Sequence, residues 1–129
     1  MNENKRELRI NIMNQLYQYD LYQSEGFEFN PSFDIEEELM MFQAILVSIH
    51  EIDKMIETHL FDYSLYRLSY VDRAIIRLAT YELLKTTTPK QVIINEAVEL
   101  TKIYSNLDDE KQHKFTNRLL DTIAKAIKG

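Results

Sequence analysis

Residues 68–84 read Leu68-Ser-Tyr-Val-Asp-Arg-Ala-Ile-Ile-Arg-Leu-Ala-Thr-Tyr-Glu-Leu-Leu84. From Val71 to Leu84 nearly every position is apolar, apart from a narrow stripe of Arg73, Arg77 and Thr80 and a few outliers. A helix that is apolar almost all round has to be surrounded by others, so this stretch is expected to be the central helix of an all-α fold. Ser69, with Asp72 three residues later, resembles a capping box with Asp in place of Glu and sets the start of the helix. On a helical wheel Glu82 lies about 180° from Arg73, between the angular positions of Val71, Ile75 and Leu78. A lone carboxylate there is costly to bury unpaired. It either finds a cation or backbone donors inside the fold, or marks a point where that face emerges to meet a partner.

Upstream, Leu8, Ile12, Leu16 and Tyr19 fall on one face of a helix running from Asn4 to about Ser24, closed by Gly26 and the stretch through Pro31. Ser32 or Asp34 offers an N-cap for a second helix reaching His50, with Met40, Met41, Ile45, Leu46 and Ile49 on its apolar side. Ile52, Met55, Ile56 and Leu60 continue the period past a bend near His50 and end near Phe61. Tyr63 to Tyr70 is a connector from which Leu65 and Leu68 dip into the core. Downstream, Thr86-Thr87-Thr88-Pro89 breaks the central helix. The next helix runs to about Tyr104, burying Ala97, Val98 and Leu100 to Ile103, and Ser105 to Glu110 is a loop. A last helix from Lys111 to Ile127 buries Phe115, Leu119, Ile123 and Ile127. The expectation is one domain over residues 1–129, a bundle of about six to seven helices in two small halves, near 1–62 and 63–129.

Composition supports long helices, since the 129 residues include only two Gly and two Pro. The absence of cysteine excludes disulfides, thiolate zinc sites and cysteine nucleophiles, and makes a reducing, cytoplasmic setting the default expectation. The charged N-terminus does not read as a signal peptide, and apolar runs of about four residues are too short for a membrane span. The net charge of −6 argues against nucleic acid until it is divided along the chain. Asp20 to Asp62 holds eleven acidic residues and one basic, Lys54, whereas the remainder holds fourteen basic and ten acidic.

Enzymatic constellations are poorly represented. His50 and His59 are nine apart, off the spacing of adjacent helical turns, and His113 stands alone, so no metal site is expected. Glycine only at positions 26 and 129 rules out a phosphate loop, and Glu36-Glu37-Glu38 reads as a solvated helix start. No cofactor and no catalytic residue is expected. Three surface features resist a purely structural reading. Lys111, Lys114, Arg118 and Lys125 lie within about 60° on the last helix, beside its apolar face, so that cations and an aromatic ring could meet RNA together. Lys5, Arg6 and Arg9 crowd the first turns of the first helix, where free NH donors also suit phosphate. On that same helix Ile10, Tyr17 and Leu21 form a second apolar stripe opposite the first, which is either sandwiched or binds something.

Residues 68–84, then Pro89 with Val92-Ile-Ile-Asn-Glu-Ala-Val-Glu-Leu100, then His113-Lys-Phe-Thr-Asn-Arg-Leu-Leu-Asp121, closely resemble the NusB transcription antitermination family in order and gaps. Gln15-Leu-Tyr-Gln-Tyr19 extends the likeness over essentially the whole chain, weakest between about Gly26 and Glu38. The resemblance implies an all-α fold of two helical subdomains. It also implies binding of the boxA element of nascent ribosomal RNA together with NusE, a small-subunit ribosomal protein, within an RNA polymerase antitermination complex. It maps RNA binding onto Lys5, Arg6 and Arg9 and onto Lys111, His113, Lys114 and Phe115, which Arg118 from the basic stripe joins. It maps the NusE-facing surface onto Tyr17 and Glu82, with Leu21 added from the apolar stripe.

Two departures stand out. Glu7 occupies a place where another basic residue is common, and Arg118 follows Asn117 where the family usually has Gly. Fewer N-terminal cations weaken phosphate binding. The alternative reading is a protein-interaction module of this fold without sequence-specific RNA binding. A third, the substrate-recognition domain of an RNA cytosine methyltransferase, is set aside because the sequence has no cofactor domain and no cysteine. Whether the free protein is a monomer or a homodimer is left open by the sequence.

Overall fold

A computed structural model describes residues 2–61, 64–105 and 110–128, with side chains from residue 5 to residue 127 within those spans. Tyr63 and the centre of the Ser105–Glu110 loop lie outside the described residues. Among the described residues there are six α-helices, one short 3-10 turn and no strand. They are α1 (Asn2–Ser24), α2 (Glu36–Val47), α3 (Ile49–Thr58), the turn Leu65–Arg67, α4 (Tyr70–Lys85), α5 (Lys90–Tyr104) and α6 (Lys111–Lys128).

Helix α1 buries Ile12, Met13 and Leu16, with Leu8 and Tyr19 packed against the core. Gly26 ends it at φ +76°, the left-handed value that glycine tolerates best. The NH of Phe27 reaches the carbonyl of Tyr22 at 2.9 Å, and that of Gly26 reaches Gln23 at 3.2 Å, the paired bonds of a Schellman stop.

The bend expected near His50 falls at Ser48 and separates α2 from α3. The NH of Ser48 is shared between Ala44 and Ile45 at 3.1 Å each, so the i→i−4 ladder tightens and the axis turns. The expected N-cap at Ser32 or Asp34 is not formed. Ile35 holds the cap position with no side-chain bond, while the NH of Ser32 donates to Gln15 at 3.1 Å. Glu38, read as part of a solvated start, is buried and accepts from Asn11 Nδ2 at 3.1 and 3.3 Å. Met40, expected on the apolar side, is exposed.

Leu65 and Leu68 enter the core as expected. Ser69 then caps α4, its Oγ accepting from the NH of Asp72 at 3.1 Å and donating to Asp72 Oδ2 at 2.8 Å. Every residue from Asp72 to Thr80 is buried, and α1, α3, α5 and α6 all pack on this helix. It is the central helix. The stripe of Arg73, Arg77 and Thr80 is buried with the rest. Helix α5 buries Ile93, Ile94, Ala97, Leu100 and Thr101, and the expectation that Ile103 is buried fails because it lies off this spacing and faces outward. Helix α6 returns antiparallel to α5 and buries Thr116, Leu119, Leu120, Ile123 and Ala124, with Phe115 and Ile127 half-covered.

Ile123→Ala, at a fully buried site, should lower unfolding free energy by about 2–5 kcal/mol. Met40→Ala should stay within about 0.5 kcal/mol of the parent. Urea unfolding followed by circular dichroism checks both, and equal midpoints for the two variants would contradict this placement of the core.

Candidate nucleic-acid and partner interface

Helix α1 runs antiparallel to α4, so its start lies by the end of α4 and its end by the first half of α4. Arg9 lies against Glu82, Tyr17 against Tyr70, and Asp20 against Arg73 and Arg77. Arg9 is 4% exposed and Glu82 5%. The guanidinium grips the carboxylate through Nε at 2.9 Å and Nη2 at 2.8 Å, a two-pronged match of planar fork to carboxylate. Burial opposes the charge on Arg9, but the bonds to Glu82 outweigh it and hold its pKa above the ordinary guanidinium value.

Two of the expected site residues thus lie inside the fold, and for Glu82 the internal cation is the alternative that holds. Arg9 does not present a cation to solvent, and Glu82 does not emerge on an outer face; each is the other's buried partner. Arg6 is partly exposed and donates to Glu96 through Nε at 3.1 Å and Nη2 at 2.8 Å. Those bonds keep the Glu96 carboxyl below its usual range, so the pair stays charged at neutral pH. Lys5 is exposed.

On α6, Lys111, Lys114 and Arg118 are exposed as expected, and His113 and Phe115 are half-buried. Among the described residues Lys114 and Arg118 have no ion-pair partner, whereas Lys125 bonds Asp121 at 3.0 Å one turn back. A hollow of about 270 Å³ lined by Arg67, Ser69, Asp72, Lys111 and Phe115 places the start of α6 beside the start of α4. The first turns of α1 sit beside the end of α4, near Glu82. The two cationic groups are therefore not gathered into one cluster. Asp72 and Glu82 are ten residues apart, about 15 Å along the α4 axis at 1.5 Å per residue.

Of the expected partner face, Tyr17 is half-buried, with its ring edge-on to Tyr70 at 6.1 Å and 89°. Leu21 is 37% exposed, while Ile10 packs against the core. Sequence reading missed the network beneath this face. Arg77 donates to Asp53 at 2.9 and 2.8 Å and to Asp20 at 2.8 Å, while Arg73 approaches Asp20 at 3.5 Å between the rings of Tyr66 and Tyr70. The available signal was a pair of arginines one turn apart in a helix otherwise too apolar to have a solvent face.

Among the described residues no group of three His, Cys, Asp or Glu side chains could hold a metal ion. None of the described helices is long and apolar enough to cross a membrane. What the fold defines is a small helical bundle with a buried ion-pair spine and a cationic, partly aromatic outer helix.

The NusB family model matches residues 6–125, and the chain belongs to that family. The transcription antitermination protein NusB of Staphylococcus epidermidis is 35% identical over 128 residues, spanning 92% of this chain and 97% of its own. That of Nitratiruptor sp. is 36% identical, spanning 97% and 94%. Among solved structures, T. maritima NusB superposes with a TM-score of 0.77 at 33% identity, covering 93% of this chain and 89% of its own. A chain in the crystal structure of antitermination factors NusB and NusE in complex with dsRNA superposes at 0.74 with 29% identity, covering 98% and 99%.

Arg9→Met strands the Glu82 carboxylate inside the fold and should destabilise by about 3–5 kcal/mol. The double variant Arg9→Met/Glu82→Leu should recover most of that loss, because it removes both charges and keeps the volume. Thermal and urea unfolding of the parent, both single variants and the double close the cycle. A neutral Arg9→Met would mean that the pair is not buried.

Proposed function

We propose that the protein is a non-enzymatic, cytoplasmic adaptor that binds boxA-type RNA of nascent ribosomal transcripts together with NusE, as part of an RNA polymerase antitermination complex. The observation that carries the RNA half is on α6: exposed Lys111, Lys114 and Arg118 lie beside Phe115, and the last two cations have no acidic partner among the described residues. Elsewhere Arg9, Arg73 and Arg77 are neutralised internally. A helix face that keeps its charge next to an aromatic ring suits a single strand, which offers phosphates and unstacked bases together. His113 lies in the first turn of the same helix, and Lys5, with Arg6 where Glu96 releases it, supplies a second contact at the far end of α4.

The protein half rests on Tyr17 and Leu21, which stay at the surface over the α1–α4 seam, and on the solved likeness that contains NusE. In this reading Arg9 and Glu82 act as an internal clamp that fixes the first turns of α1. They touch neither RNA nor NusE while the pair is intact. One observation favours a strong dependence on the partner for RNA affinity: Arg6 and Arg9 both face Glu96 or Glu82, which leaves Lys5 as the outward cation of the N-terminal group.

Labelled boxA RNA and a scrambled control are titrated with the protein, alone and premixed with NusE, at about 50 and about 200 mM salt. Tighter, sequence-dependent binding is expected with the premix. Lys114→Ala should flatten the logarithmic salt slope by about 0.7, the value for one phosphate contact on a single strand, and Glu96→Gln should steepen it by freeing Arg6. Tyr17→Ala should weaken only the premixed sample. NusE binding without RNA selectivity would leave the protein-interaction module as the correct reading.

A further inference from the structure

Beyond the residues so far placed on RNA, the most exposed aromatic side chain among the described residues is Phe61. Phe61 follows the end of α3 and is 83% exposed, although the adjoining Leu60 is buried and anchors the backbone. It stands at the edge of a hollow of about 260 Å³ whose other walls include His59, Phe115, Arg118 and Leu119. The His59 ring is held at one side by a contact of Nδ1 with the Met55 carbonyl at 2.9 Å. A singly exposed apolar residue is ordinary on a protein surface. This one differs in its setting: it shares a hollow with a guanidinium that has no carboxylate partner among the described residues, and Lys114 lies one turn away on the same helix, equally unpaired.

The geometry points to a nucleobase subsite, in which an unstacked base of single-stranded RNA lies against the Phe61 ring while Arg118 takes the adjoining phosphate. This rests on the RNA-binding reading above and extends it to residues on α3 and its exit. The chemistry selects the occupant. The hollow combines aromatic and aliphatic walls, Phe61, Phe115, Leu60 and Leu119, with the cation Arg118, which is what sequence-tolerant stacking needs. An acidic peptide would satisfy Arg118 but would leave the aromatic face without a matching plane. The subsite also continues the cationic line from Lys111 through Lys114, so one strand can engage all of it.

The chain contains no tryptophan, so Phe61→Trp introduces a single indole as a reporter. Titrating that variant, premixed with NusE, with single-stranded boxA RNA should quench the indole along the same binding curve that a labelled RNA reports. Phe61→Ala should weaken binding roughly five- to hundred-fold, the range for losing one base–aromatic stack, with the salt slope unchanged. Arg118→Ala should lower that slope by about 0.7. Unchanged melting curves for Phe61→Ala would show that its loss of binding is not unfolding. If Phe61→Ala binds like the parent and the indole stays unquenched while Lys114→Ala weakens binding, the subsite is wrong and the RNA-binding reading stands. If the parent binds no RNA with or without NusE, both fall. Quenching by an acidic peptide with no response to RNA would also overturn the subsite and would mark a protein contact instead.

Discussion

Charge buried along α4 is the constraint on which the arrangement of the helices depends. Three arginines reach that helix's surroundings, and each ends on a carboxylate from another element: Arg77 on Asp53 of α3 and Asp20 of α1, Arg73 on Asp20, and Arg9 of α1 on Glu82. Apolar faces alone would let α1 slide along α4 by a turn with little loss, since leucine and isoleucine pack acceptably in several registers. A guanidinium fork does not tolerate such a slip, because a displaced partner leaves a desolvated charge. The Arg9–Glu82 fork at one end of the α1–α4 contact, and the bonds of Arg77 and Arg73 to Asp20 at the other, fix one register. Their contribution is therefore to specificity more than to net stability, since desolvation offsets much of the attraction between buried ions.

The same constraint decides where positive charge remains for a ligand. The chain carries fifteen basic residues against twenty-one acidic ones, and several of its arginines are turned inward. The cations left outward are mostly lysines, together with Arg67 and Arg118, and four of them, Lys111, Lys114, Arg118 and Lys125, share one face of α6. This is how an acidic protein presents a basic surface: the average charge matters less to a strand at contact distance than the local set within a Debye length of about 8–10 Å. Arginine is used where planar pairing is needed inside, and lysine, a well-hydrated point charge, predominates at the surface.

The fold was largely legible because its signals are periodic. The apolar spacing of residues 71–84 announced a central helix, Ser69 and Asp72 its start, and Gly26 the end of α1, and each depends on chemistry within a few residues. The break at Ser48 was placed two residues late, because no proline or glycine marks it and the ladder is interrupted only by a shared NH. Arg9 and Glu82 show the limit of the site reading. Spacing correctly posed Glu82 as needing a cation or a partner, but which one depends on α1 lying antiparallel to α4, a fact that no local pattern encodes. Arg73, Arg77, Asp20 and Asp53 were missed as a network for that reason, being separated in sequence by up to 57 residues. Phe61 was legible only as the end of a helix, since its exposure is a property of the packed bundle.

The placement of the cationic groups at opposite ends of α4 bears on what kind of molecule the surface suits. Helix α6 runs antiparallel to α5, which itself returns along α4, so α6 points from the Asp72 end of α4 toward the Glu82 end. Lys111 and Lys125, the ends of its cationic stripe, are fourteen steps apart, about 21 Å, while the first turns of α1 lie at the end toward which it points. A compact anion could occupy one of these places but not several. An extended chain with charge at every repeat could follow the stripe from its start and reach Lys5 beyond it. On the RNA-binding reading, the separation of the two groups selects for a strand that is unpaired and extended across the bundle, with the internal arginines holding the two ends of the track at a fixed distance.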